Sequence, residues 1–132
     1  MLLTIQLQGE EGLSRLLQSM QTPGFLLPTL EGVGAQLNTD LATYPPPPPD
    51  STYRRTGTLG RAWTHEETAS LLSVQTALGN VTPYARFVQD EDYQADVHQG
   101  RWQTTADVLE RREQWIINQV QEGIRLHAAT FR

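Results

Sequence analysis

The sequence predicts an α+β fold: a small antiparallel sheet packed by two N-terminal helices and a long C-terminal helix, in a single domain over residues 1–132. Three observations predict it. Alternating apolar segments stand near the N-terminus and in the middle of the chain, helical apolar spacing recurs on either side of the middle ones, and a proline run parts the first helical stretch from the sheet. The chain divides into strand and helices over 1–43, a proline-rich spacer over 44–55, sheet and loops over 56–103, and a terminal helix over 104–132.

Leu3, Ile5 and Leu7 alternate with Thr4, Gln6 and Gln8, the pattern of a half-buried strand over residues 2–8. Gly9 ends it, and Glu10 and Glu11 favour a helix start because acidic groups complement the positive end of the macrodipole. Leu13, Leu16, Leu17 and Met20 give that first helix an apolar face. After the Pro23-Gly24 breaker, Leu30, Val33, Leu37 and Leu41 recur at helical spacing, so a second helix is expected from Pro28 to Ala42, with Pro28 in a first turn that misses no donor.

Pro45, Pro46, Pro47, Pro48 and Pro49 are expected to be extended, because each ring fixes its own φ and bars helical geometry from the residue before it. At about 3.1 Å per residue such a spacer reaches roughly 15 Å. An SH3-type ligand usually sets arginine close to its PxxP core, whereas Asp50, Ser51, Thr52 and Tyr53 intervene here before Arg54.

Two strands joined by a polar turn are predicted over 61–66 and 71–78, with Leu72, Val74, Thr76 and Leu78 on one face. Gly79-Asn80 signals a turn, Tyr84 to Val88 a compact stretch, and 93–98 a further strand. Thr104 and Asp107 have the outline of a capping box. The helix that follows, about six turns long, carries Leu109, Ile116, Val120, Ile124 and His127 near one face, widened by Trp115 and Ile117. Burying Trp115, Ile116 and Val120 should contribute about 1.5–3 kcal/mol each.

Composition narrows the function classes. Hydrophobic residues make up 38% and charged residues 19% of the 132, which suits a chain that folds in water around its own core. Met1 to Leu7 is interrupted by Thr4 and Gln6 and has no basic region before it, so neither a signal peptide nor a membrane span is expected. Without cysteine there are no disulfides, thiolate zinc sites or cysteine nucleophiles. Net charge is −5, and all ten basic residues are arginine, so the basic excess that draws proteins to phosphate backbones is missing. The lack of lysine reflects either genomic base composition or the fit of arginine's planar fork to subunit interfaces.

The chain offers little to catalysis. His65-Glu66-Glu67-Thr68-Ala69 begins like the zinc-protease helix motif, but Ala69 stands where the second imidazole is needed. In a strand, Asp96 and His98 would share a face, yet a metal needs three or four converging ligands, and packing is the simpler role for His98. His127 fits a favourable interaction with the negative end of its helix. No nucleophile elbow or phosphate loop is present, and the carboxylates of Glu66-Glu67 and Asp90-Glu91-Asp92 read as solvated loop charge. No enzyme activity and no cofactor are therefore expected. A hydrolase centred on His65, Glu66 and His98 is the reading a metal analysis would test.

Two blocks carry a family resemblance. One runs Tyr44, Pro45 to Pro49, Ser51, Tyr53, Arg55-Thr56-Gly57-Thr58-Leu59 and Ala62-Trp63; the other runs Asn80, Pro83-Tyr84-Ala85, Phe87-Val88, Gln94, His98, Gly100-Arg101-Trp102, Thr104 and Asp107. Together they resemble the tail-completion and head-tail joining (neck) proteins of tailed phages, minor tail proteins like gene product ten of lambdoid siphophages. The chain departs from the family at Asp50 and at Asp90-Glu91-Asp92, where glycine or a short turn is usual.

The resemblance implies a structural virion protein, assembled in the host cytoplasm as an oligomeric ring of identical subunits. Its partners would be neck and tail proteins such as the head-tail adaptor, tail terminator or tail tube, with no sequence-specific nucleic-acid recognition and no membrane. Gly57 would turn the chain from spacer to sheet. Arg54, Arg55 and Arg101 would grip carboxylates, on Asp90, Glu91 and Asp92 or on a neighbouring subunit. Leu59, Trp63, Tyr84 and Trp102 would serve as core or interface anchors. A soluble adaptor or host-interaction protein that uses its proline-rich segment is the alternative.

Overall fold

The computed structural model describes residues 2–47, excepting 7–21, together with 49–50 and 57–129, with residues 2–6 described by their backbone. It is an α+β fold whose sheet has three antiparallel strands. Strand β1 (Leu2–Gln6) is followed by a 3-10 turn (Pro23–Leu26), helix α1 (Leu27–Leu41), a single helical turn α2 (Thr58–Arg61), β2 (Trp63–Ala69), β3 (Val74–Asn80), the short helix α3 (Ala85–Gln89) and the long helix α4 (Thr105–Ala129). The expected first helix, with Leu13, Leu16, Leu17 and Met20, falls outside the described residues.

β3 is the central strand, with β1 on one side and β2 on the other. Leu3 pairs with Leu78 and Ile5 with Thr76, which puts the alternating apolar positions of β1 in register with the buried positions of β3. Val74, Thr76 and Leu78 are buried while Gln75, Ala77 and Gly79 are half-buried, the alternation of a sheet covered on one face.

Helix α1 packs on that covered face against β2 and β3, and α4 packs against α1. Val33, Leu37 and Leu41 meet Trp63, Leu78, Val108 and Ile116 in one apolar cluster. Leu26, Leu30, Val74 and Val120 form a second. Helix α4 starts as the sequence predicts: Thr104 N–H donates to Asp107 Oδ2 at 2.9 Å, and Asp107 N–H donates to Thr104 Oγ1 at 3.1 Å.

Several boundaries differ from the sequence reading. The strand expected over 61–66 begins at Trp63, because Gly57 takes a left-handed φ of 75° and starts a helical turn closed by Arg61 N–H on Gly57 O at 3.1 Å. The strand expected over 71–78 begins at Val74. Ser70 builds the preceding turn, its N–H donating to Ser73 O at 2.8 Å while its hydroxyl accepts the Ser73 N–H at 3.1 Å. Leu72 is therefore not on the inner sheet face; it and Leu71 stand at the hairpin tip, 90% and 78% exposed.

Gly79-Asn80 is the end of β3 rather than a turn, with Gly79 opposite Leu2 and Asn80 opposite Trp63. The strand expected near 93–98 is a loop with a 3-10 turn over Asp96–His98, so those two side chains do not share a strand face. Pro45 to Pro47 carry no regular secondary structure, whereas Pro49 and Asp50 lie in a turn; Pro48 is outside the described residues. On α4, Ile117 does not widen the buried stripe but faces solvent, and His127 stacks on Phe25 with ring centroids 4.0 Å apart.

Candidate interaction site

Leu59, Ala85 and Val88 form a third apolar cluster, closed by the half-buried rings of Tyr44 and Trp102. Tyr44 and Trp102 pack with centroids 4.6 Å apart at 48°, and His98 meets the Trp102 ring edge-on at 5.9 Å. Asn80 adds a polar tie: its amide donates to Leu59 O at 2.9 Å, and its side-chain oxygen accepts the Thr82 N–H at 3.0 Å. Burial pushes the Tyr44 hydroxyl up to about 12, against the opposing effect of the Trp63 indole.

Around this cluster, glutamines tie backbone to backbone. Gln89 is fully buried and its amide donates to Leu41 O at 3.1 Å, while the Gln103 amide donates to Asp40 O and Thr43 O. These carbonyls belong to the last turn of α1 and the residues just after it, where helix geometry leaves acceptors without intrahelical donors. Gln94 joins Val88 O at 2.7 Å to Trp102 O at 2.9 Å. The loop from residue 90 to 104 is thus fastened to the end of α1 by side-chain amides.

An ion pair completes the region. Arg112 donates from Nε to Asp40 Oδ2 at 2.6 Å and from Nη2 to Asp40 Oδ1 at 3.0 Å, and Gln36 adds a 3.0 Å bond to Oδ1. The guanidinium holds the buried Asp40 carboxyl below the usual carboxylate range, with the Gln36 amide acting in the same direction and burial opposing both. Beside this pair opens a cleft of about 370 Å³ lined by Asp40, Thr43, Tyr44, Pro45, Arg101, Gln103 and Arg111.

The residues singled out in the sequence spread over distinct environments. Trp63 is core, Trp102 is half-buried in the third cluster, and Tyr84 is exposed beside it. Tyr53, Arg54 and Arg55 lie outside the described residues. Arg101 makes no ion pair with Asp90, Glu91 or Asp92; Glu91 instead accepts the Thr105 hydroxyl at 2.6 Å, which holds its carboxyl below the usual range. The acidic loop is therefore structured in part and is not merely solvated charge: Asp90 Oδ1 accepts the Asp92 N–H at 2.8 Å.

Glu67 needs the same correction. It sits in β2 and not in a loop, with Oε1 2.7 Å from His65 Nδ1 and accepting the Thr76 hydroxyl at 2.7 Å. Gly34 of α1 passes directly over this trio, where an added Cβ would come within 2.8 Å of both His65 Nδ1 and Thr76 Oγ1. The group fills the interface between helix and sheet. Its hydroxyl, on Thr76, is fully buried.

The polar framework of Asp40, Gln89, Gln94, Gln103 and Arg112 was missed by sequence reasoning. No spacing marks an amide that will cap a helix end 48 or 63 residues away. Compared with known proteins, the chain matches no family model, no curated protein and no solved structure. Among the described residues, no helix is long and apolar enough to cross a membrane, and no group of three or more histidines and carboxylates is disposed to hold a metal ion.

Proposed function

We propose that this chain is a structural virion protein of a tailed phage, a neck or tail-completion subunit at the joint between capsid and tail. The observation that carries this reading is the meeting of the two resemblance blocks. Tyr44 and Leu59 of the first pack against Ala85, Val88 and Trp102 of the second, and Asn80 bonds to Leu59 across them. Residues far apart in sequence thus serve one purpose, which is to shape backbone. The side chains that stand out here fasten carbonyls, close helix ends and pack rings.

Exposed apolar groups supply contact surface for such a role. Leu71 and Leu72 project at the hairpin tip, and Phe87 and Tyr93 flank the Arg86 guanidinium at 4.8 and 5.7 Å. Subunits arranged head to tail about an axis close into a ring when the rotation allows it. Deleting the gene from the phage that encodes it tests the proposal. Unjoined heads and tails, or tails that fail to mature, are expected; infectious particles of normal yield would refute it.

A further inference from the structure

We propose that the cleft between the end of α1 and the start of α4 is a binding site for the carboxylates of an acidic polypeptide segment, with Arg101 and Arg111 as the recognising groups. The inference goes beyond the virion reading and does not depend on it.

The charge inside the cleft carries the argument. Asp40 is the carboxylate that lines it, and both of its oxygens are already taken by Arg112, with Gln36 as a further donor. Its negative charge is cancelled where it stands. Arg101 and Arg111 remain as positive charge facing the opening, in a chain whose net charge is −5. Among the described residues neither is in an ion pair.

Arg111 is anchored by its side chain, and Arg101 is placed by its backbone. Arg111 Nη2 donates to Gln103 Oε1 at 2.9 Å, and Gln103 is itself fixed by Asp40 O and Thr43 O, so one donor anchors the guanidinium while the others stay available. Arg101 sits between Gly100, at a φ of 75°, and Trp102, which is packed in the third cluster; its own N–H donates to His98 O at 3.1 Å. A guanidinium meets a carboxylate with two parallel bonds, and the one on Arg111, already anchored, loses little freedom in doing so.

Carboxylate suits the cleft better than phosphate. A nucleic-acid backbone would bring a dense line of charge to an acidic protein whose cleft is lined by two arginines. An acidic peptide brings separated single charges, and the Tyr44 and Pro45 wall offers apolar surface to the chain that carries them.

The test uses the full chain and a fluorescent peptide with the sequence of residues 88–96, which bears Asp90, Glu91, Asp92 and Asp96, followed by anisotropy. A control peptide carries the corresponding amides. Binding of the acidic peptide should weaken about tenfold or more in the Arg101→Gln, Arg111→Gln double variant. It should also fall as salt rises from about 50 to about 500 mM. Arg101→Glu alone, at an exposed position, should weaken it further while leaving the thermal melt in place, which separates loss of recognition from loss of fold. Unchanged binding in these variants, equal binding of the amide peptide, full displacement by equimolar succinate, or tighter binding of an oligothymidylate of the same length would each overturn the proposal.

Discussion

The face where α1 meets the sheet and α4 is held mainly by apolar side chains, whereas the region from residue 80 to 104 is held mainly by amides and hydroxyls. In the first, Leu30, Val33, Leu37, Leu41, Val74 and Leu78 are all essentially inaccessible to water. The second has a much smaller apolar cluster, and Gln89, Gln94, Gln103 and Asn80 fasten its backbone. Apolar burial is non-directional and tolerates any side chain of the right size. Amide ties are directional, so they set where a loop lies and which groups it presents, and they lose their value when either end moves. One region supplies stability; the other supplies placement.

The contrast can be broken most severely from the apolar side. Leu37→Ala leaves a cavity where α1, β2, β3 and α4 meet and should cost about 2–5 kcal/mol in urea unfolding. Gln89→Leu keeps the volume but strands the carbonyl of Leu41, with an expected cost of about 1–3 kcal/mol. Its distinguishing sign is local. Amide exchange should accelerate over residues 89–104 while the Leu37 region keeps its protection, and a uniform acceleration would mean that the two regions are not separate in the way described.

A smaller effect is expected from acid. Arg112 lowers the Asp40 carboxyl in the folded state, so the stability it contributes is present above the unfolded value, about 3.9, and is lost as pH falls through the lower folded value. Asp40→Asn should flatten that acid limb of a stability-against-pH curve. An unaltered limb would place its origin elsewhere, with Glu91 as the next carboxyl held low. Smallest of all is Leu72→Ser at the hairpin tip, which should alter unfolding by no more than about 0.5 kcal/mol because the side chain is 90% exposed.

Legibility in the sequence followed the same division. Helix α1 was expected from Pro28 to Ala42 and runs Leu27–Leu41, since four leucines and valines at helical spacing leave little choice. The capping box at Thr104 and Asp107 was equally plain, because both partners lie within one turn. The first strand starts where expected, at Leu2, and the two middle strands were found but misplaced by two or three residues. The helical turn begun at Gly57 and the turn built by Ser70 decide those starts, and Leu71 and Leu72 look like strand residues until the turn puts them in water. The strand expected near 93–98 failed for a related reason: Gln94 spends its amide on Val88 and Trp102 carbonyls, and the segment folds around that tie.

Periodicity and local capping therefore determined, from the residues alone, that this is an α+β chain with a small antiparallel sheet and a long amphipathic C-terminal helix. The tertiary structure alone decided that Arg112 reaches Asp40, that Gln89 and Gln103 close the end of α1, and that Arg101 and Arg111 face a common cleft. The physical reason is range. An apolar stripe is written in neighbours three and four residues apart, while a hydrogen bond between distant segments leaves no mark on either until the core has brought them within 3 Å.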